Sequence, residues 1–186
     1  MGAGMGDVVF APLYEVLARR GVRFEFFHRL TDIDVSDRDR PDPHVTALRF
    51  DVQAQIKAGV AYRPLVEVHG LPCWPALPDY AQLVGGDALA AAPPSFESPW
   101  DPHVETRRVL QVQRDFDHVV LAIGGGAVEG VCSQLVARSP RWRRMVENLH
   151  SVATQAAQVW LTEDMHTLGW KHPPVNLSGW VEPFDT

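Results

Sequence analysis

Residues 115–126 read DFDHVVLAIGGG, with an apolar run at 119–123 followed at once by three glycines. A short run that is apolar on both faces is typical of a β-strand that is covered on both sides. After the glycines, Val128, Val131 and Leu135 recur on one helical face. The sequence therefore predicts a buried strand, a glycine turn and a helix, in that order.

The residues before this run predict an antiparallel hairpin and a further strand. Residues 46–56 alternate between apolar and polar side chains, which is the period of a half-buried strand, and 30–35 supply its partner. The charged and proline-containing stretch 36–44 predicts the tip of the hairpin. Residues 107–113 are predicted to form another strand, because β-branched valines flank Leu110.

Helices are predicted at both ends of this region. Apolar residues at helical spacing and the stop signal Gly21 indicate a helix that begins near Pro12. Pro140 occupies a position that is tolerated at the start of a second helix, which carries the apolar stripe of Trp142 and Val146. Short elements are also predicted, with strands at 22–27 and 152–161 and a helix at 79–84.

The predicted fold is α+β, with a mixed sheet, an antiparallel hairpin layer and flanking helices. Three segments organise it. Residues 1–60 contribute the helix, strand and hairpin, 61–106 form an irregular proline-rich segment, and 107–186 contribute the strand, glycine turn, helices and last strand. The segment 61–106 is predicted to be irregular because its prolines restrict both themselves and the residues before them.

Composition excludes several classes of protein. The chain has 186 residues, of which 46% are hydrophobic and 22% charged, as in ordinary globular proteins. The formal net charge of -6 argues against general nucleic-acid binding, which needs a dominant positive field. No apolar run is long enough for a membrane span, and no signal-peptide pattern is present, so we expect a cytoplasmic protein. The 2 cysteines do not form a disulfide framework.

Few local motifs point to chemistry. A strand, glycine turn and helix can present backbone N–H groups to a phosphate, but the spacing of Gly124, Gly126 and Gly130 departs from GxGxxG, so a plain tight turn is the commoner outcome. The histidines are scattered, and no metal site is predicted. Tryptophans are candidates for pocket walls, although packing in the core is the more frequent role of such residues, namely Trp74, Trp100, Trp160 and Trp170.

Several stretches resemble the middle of FAD-dependent, amine-oxidase-like flavoproteins. They are GMGD at 4–7, PLYEVL at 12–17, GVRFEF at 21–26, LTDI at 30–33 and the run 115–123. The similarity continues through 142–161 and is closest to bacterial NAD(P)/FAD-binding oxidoreductases related to phytoene desaturase and protoporphyrinogen oxidase. The resemblance implies part of a flavoprotein FAD/NAD(P)-binding fold together with a substrate domain.

The resemblance also implies candidate FAD-binding positions. It places the backbone of Leu30 at the adenine, and it places Ala122, Ile123 and Gly124 where a strand end passes the dinucleotide. The GxGxxG βαβ unit of the family has no counterpart in the chain. We therefore expect an interior piece of a longer oxidoreductase that acts on an apolar or amine-bearing substrate. Its partners would be the missing N- and C-terminal parts, and the chain alone would be inactive and bind FAD weakly or not at all. No catalytic acid or base is singled out.

Two alternatives from other classes stay open. The chain could be a non-catalytic binding or self-association module, with the proline-rich span 62–102 as its recognition loop. It could also be an independent nucleotide-binding α/β domain that uses the turn at Gly124. A cut piece would expose a large apolar patch near Gly124 and form homo-oligomers or aggregates, whereas a module would be polar there.

Overall fold

A computed structural model describes residues 3–37, 44–152, 161–173, 180–181 and 184–185. The chain divides into two compact units, Met1–Ser151 and Val152–Thr186. The helices of the first unit are α1 (Ala11–Arg19), α2 (Gly86–Ala91), α3 (Val128–Val131), α4 (Ser133–Arg138) and α5 (Pro140–Asn148). Its strands are β1 (His28–Val35), β2 (Val45–Val52), β3 (Val66–Val68), β4 (Leu71–Cys73) and β5 (Thr106–Gln111).

A three-stranded antiparallel sheet with the order β1-β2-β5 forms the centre of the first unit. The expected hairpin and the expected strand near 107–113 are both confirmed. Ile33 lies opposite Leu48, which in turn lies opposite Leu110, so the period-two alternation brings apolar side chains onto one face. The other face carries ion pairs, including Arg29–Asp51 at 3.1 Å. The proposed hairpin tip lies partly outside the described residues, since 38–43 are not among them.

The apolar face of the sheet is covered by α3 and α4. Ile33 and Leu48 form a buried cluster with Val128 and Cys132 from the helical layer, as the predicted helix face requires. Helix α4 also satisfies the edge of β1, because the amide of Val35 donates to Gln134 Oε1 at 3.2 Å. The sheet therefore has one buried and one solvated face, as many antiparallel sheets do.

The prediction that 119–123 forms a buried strand is wrong. The segment has no regular secondary structure, and its backbone makes no ladder with any described residue. Val119 and Leu121 pack against the cluster of Ile33 and Leu48, whereas Val120 is 92% exposed. Only one of the two apolar faces of the segment is covered. In the described sheet β5 is an edge strand that pairs with β2 alone, so no described strand lies beside 119–123.

Smaller elements also differ from expectation. The strand expected at 22–27 is not formed, because 22–26 have no regular secondary structure, Phe27 lies in a bend with a φ of 60°, and β1 begins at His28. A single 3-10 turn, Tyr80–Gln82, replaces the short helix expected at 79–84 and is followed by the unexpected α2. The helix expected from Pro140 is confirmed as α5, and that near Pro12 as α1, which a π-helical turn, Gly6–Phe10, precedes. The strand expected at 152–161 lies mostly outside the described residues.

The protein is α+β, and the sheets that its described residues form are small and antiparallel. Strands β3 and β4 make a tight hairpin, in which His69 and Gly70 both have positive φ, as type I′ turns require. Strands from the predicted segments 1–60 and 107–186 pair in one sheet. This pairing does not test where one segment ends and the next begins, so the boundaries of the three segments stay a prediction.

The second unit is described by itself. Its described elements are turns at 165–169 and a short antiparallel pair, β6 (Trp180–Val181) and β7 (Phe184–Asp185). Across the described parts of both units, none of the helices has the length and apolar character that crossing a membrane demands.

Candidate functional site

Leu30, the first position expected to contact FAD, lies within β1 opposite Phe50. Its half-buried side chain packs against the cluster that contains Ile33 and Leu48. The backbone of Leu30 therefore belongs to the β1–β2 hairpin, and its side chain belongs to the core. The role implied for Leu30 stays a prediction.

Ala122, Ile123 and Gly124 lie at the C-terminal end of the unpaired segment and are exposed, Ile123 to 39%. Leu121 borders the same core cluster as Leu30, but these three residues are not among those that pack against it. The structure therefore brings the start of the segment close to the core of Leu30 and leaves its end at the surface.

The glycine turn has a packing role that the sequence did not reveal. A Cβ on Gly125 would come within 2.5 Å of Leu149 Cδ2, so the side chain that follows α5 packs directly on this glycine. The helix that follows the turn, α3, has only 4 residues. So short a helix offers little aligned dipole for a phosphate, and the geometry favours a close-packed turn.

An aromatic cleft of about 370 Å³ lies elsewhere in the first unit. We call it the aromatic cleft and define it by the rings that line it, which are Phe26, Phe27, Tyr62, Trp74 and Phe96. Prolines complete its walls, namely Pro64, Pro75, Pro78 and Pro94. Phe26 and Phe27 come from the segment just before β1, and the other lining residues come from the proline-rich segment. The proline-rich segment therefore folds back onto the residues before β1.

Ring contacts hold the walls of the aromatic cleft in place. The Phe27 ring lies 5.1 Å from Tyr62 and 5.2 Å from Phe96, centroid to centroid, in edge-to-face geometry. Phe27 has a φ of 60°, a conformation that is rare for a bulky residue and that must be imposed by its surroundings. The rings of Phe27, Tyr62 and Phe96 also pack on a second core cluster of Ala54, Leu83 and Leu89. The cleft is thus preformed by the core beneath it.

The described lining of the aromatic cleft contains one formally charged residue, and carboxylates outside the lining hold some of its residues, since Asp7 accepts a hydrogen bond from the Trp74 amide at 2.9 Å. Among the described residues that line it, Glu97 alone carries a formal charge, and its side chain is exposed. Burial raises the pKa of Tyr62 above its ordinary value, so the phenol stays protonated and neutral at physiological pH. The Tyr62 hydroxyl accepts a hydrogen bond from the Asp79 amide at 3.3 Å.

Asp101 closes the loop that carries Phe96. Its carboxylate accepts hydrogen bonds from the backbone amides of His103, at 2.8 Å, and Ser95, at 2.5 Å. These hydrogen bonds lower the pKa of Asp101 below its ordinary value, and the hydrogen bond from His103 has the largest effect. The main-chain oxygen of Phe96 is held separately, because it accepts from Gln53 Nε2 at 3.1 Å.

We expect Asp101→Asn to lower the melting temperature by a few degrees at neutral pH, because an amide cannot accept both backbone hydrogen bonds. Because the pKa of Asp101 is lower in the folded protein than in the unfolded chain, its carboxylate stabilises the fold fully at pH values above the ordinary carboxyl pKa. This stabilisation is lost as the pH falls through the lowered pKa of the folded protein. The difference between the variant and the wild type should therefore shrink below about pH 4. Melting curves between neutral and acid pH measure it. The exposed Asp117→Asn is the control, and a difference that does not change with pH would contradict the assignment.

Of the four tryptophans expected in pocket walls, Trp74 alone is seen to line the aromatic cleft. Trp100 is 88% exposed, Trp160 lies outside the described residues, and Trp170 belongs to the second unit, where its ring contacts His172. The phenylalanines and Tyr62 were not predicted to line a pocket. The sequence signal that could have indicated the cleft is the density of prolines around aromatic residues in 62–100.

Other chemistry finds little support in the described part of the chain. There, no three His, Cys, Asp or Glu side chains lie close enough together to hold a metal ion. Cys73 and Cys132 are both free thiols. Burial raises the pKa of Cys132, whose side chain belongs to the core, so this thiol is a poor nucleophile.

Comparisons were made with models of protein families, with curated proteins and with solved structures. None matches this chain. Any functional assignment therefore depends on the residues and their geometry.

Proposed function

We propose that this chain is the central, substrate-side part of an FAD-dependent, amine-oxidase-like oxidoreductase, and that it binds FAD weakly or not at all by itself. The observation that carries the proposal is the state of residues 119–123. They are apolar and form no regular secondary structure, they pair with no described strand, and Val120 is 92% exposed. This stretch is one of those that resemble the flavoprotein family, in which it corresponds to a strand.

An apolar segment of this kind is costly to leave in water, because its outer side chains expose apolar surface. Its backbone N–H and C=O groups make no hydrogen bond to a described residue and so are available to a neighbouring strand. The apolar surface would be covered and the backbone paired if the segment were a strand in a sheet built by another part of the same protein. In the flavoproteins that the sequence resembles, this strand returns from the substrate domain towards the flavin. The unpaired segment thus supports the proposal.

The apolar surface around the glycine turn points the same way. Leu149, which follows α5 and packs on Gly125, is 48% exposed, and Met145 in α5 is 41% exposed. A cut piece of a larger protein is expected to show such a patch, whereas a finished module is expected to be polar there.

The described residues do not by themselves fit FAD. The pyrophosphate needs several N–H donors at the start of a helix, and the helix after the glycine turn, α3, has 4 residues. The formal charge of -6 also disfavours a dianionic pyrophosphate. We therefore derive no step of the reaction through the flavin and assign no catalytic residue.

Val120→Lys tests the proposal in two settings. In this chain alone, the exposed side chain should tolerate lysine with a change within about 0.5 kcal/mol in the free energy of unfolding. In the protein expressed from the complete reading frame around this sequence, the same lysine would be buried in a sheet and should remove most of the bound flavin. Denaturant unfolding and flavin absorbance are the two measurements.

Val60→Lys is the matched control, because Val60 is 50% exposed in a loop away from the glycine turn. It should leave both the stability and the flavin content unchanged. Titration of the wild-type chain with FAD should give no saturable change in flavin fluorescence. Saturable micromolar binding to the chain alone, or a complete protein that holds no flavin, would contradict the proposal.

A second candidate is a non-catalytic binding or self-association module. The aromatic cleft favours it, because the proline-rich segment expected to serve as a recognition loop forms most of the cleft wall. A complete protein without flavin that retains a folded aromatic cleft would favour this candidate over the first.

A further inference from the structure

The aromatic cleft has the properties of a preformed ligand site. Its volume of about 370 Å³ lies within the range of small-molecule pockets. Proline-rich walls and rings that pack on the core cost little ordering on binding, and Phe27, one of the lining rings, is held at a φ of 60°. Backbone strain of this kind persists only where the surroundings impose it, and it is often found at ligand sites.

The chemistry of the lining defines the ligand class. The rings of Phe26, Tyr62 and Trp74 offer flat apolar surfaces, which favour a planar aromatic ligand by stacking and edge-to-face contacts. A cavity of about 150 Å³ holds one benzene ring, so this open cleft has room for two fused rings. A larger multi-ring ligand would extend beyond its rim.

The charge of the lining defines the substituent. Glu97 is the one formally charged residue among the described lining, and it lies at an exposed position. A ligand cation would gain from the carboxylate, and it would gain again from the faces of Tyr62 and Trp74. An anionic substituent would be repelled by the same groups.

We propose that the aromatic cleft binds small fused-ring aromatic molecules that carry a positively charged substituent, with the rings against Phe27, Tyr62 and Trp74 and the cation beside Glu97. The site does not depend on the flavoprotein assignment. It would be the same under either function proposed above, and its failure would leave the test with Val120→Lys unaffected.

The test compares three probes of one ring system by calorimetry and saturation-transfer NMR on the full chain. They are 1-naphthylmethylammonium, 1-naphthylmethanol and 1-naphthoate. We expect the ammonium probe to bind with a dissociation constant of about 0.1–1 mM, given the affinity that so few atoms can supply. The neutral probe should bind more weakly, and the carboxylate should bind at least about tenfold more weakly than the ammonium.

Two pairs of variants locate the binding. Glu97→Gln should weaken the ammonium probe several-fold and leave the neutral probe unchanged, whereas Glu67→Gln, at an exposed position in β3 outside the cleft lining, should change neither. Trp74→Ala should weaken all three probes, and Trp100→Ala, which removes an indole that is 88% exposed, should not. The glutamate pair still decides the outcome if Trp74→Ala fails to fold. Absence of saturable binding by the wild type at about 5 mM ammonium probe, or equal effects within either pair, would overturn the proposal.

Discussion

Gly86→Ala should lower the free energy of unfolding by about 3 kcal/mol or more, because no room exists for the added methyl group. A Cβ on Gly86 would overlap the main-chain oxygen of Tyr80 and lie 2.8 Å from its carbonyl carbon. That carbonyl cannot simply turn away, since it accepts from the Leu83 amide at 3.0 Å, and Leu83 is fully buried. Urea denaturation followed by far-UV circular dichroism measures the loss.

Gly130→Ala is the matched control, and it should act in the opposite direction. Gly130 lies inside α3, and nothing lies within 4 Å of the position its Cβ would take. Alanine there should raise the free energy of unfolding by about 0.5–1 kcal/mol, because it restricts the unfolded chain and suits a helix better. Destabilisation by both substitutions to the same extent would contradict the packing described around Gly86.

The antiparallel hairpin could be predicted because its signal is local. Alternating apolar residues in 46–56 determine which side chains share a face, and the charged stretch after Val35 predicts the reversal. The strand that became β5 was predicted from another local signal, the β-branched valines that flank Leu110. A single register then follows, since a slip by one residue would turn Leu48 out of the core.

The environment of 119–123 could not be predicted in this way. Apolar residues on both faces of a run indicate that both faces are to be buried, but they do not indicate which other elements bury them. In this chain the helical layer and β1 cover Val119 and Leu121, and no described strand lies beside Val120. The mismatch between sequence pattern and environment is itself the main support for the proposed function.

The aromatic cleft could not be predicted from the sequence for a different reason. Its rings come from positions as distant as Phe26 and Phe96, and prolines indicate irregular backbone without indicating where that backbone goes. Helix α2, by contrast, had a local signal in its alanines, which favour helices. Helix α2 was not predicted, because the prolines on either side of it indicate irregular backbone.

Ile33→Ala should lower the free energy of unfolding by about 3–4 kcal/mol, which is the range for a buried isoleucine that leaves a cavity. Ile33 is 2% exposed and is surrounded by Leu48 from β2 and by Val128 and Cys132 from the helical layer, so both layers would lose contacts at once. Ile123→Ala is the control, because that side chain is 39% exposed and should cost less than about 1 kcal/mol. Denaturant midpoints at constant slope measure both. Similar losses for the two isoleucines would show that the segment after Leu121 is packed in solution, and they would count against an unpaired strand there.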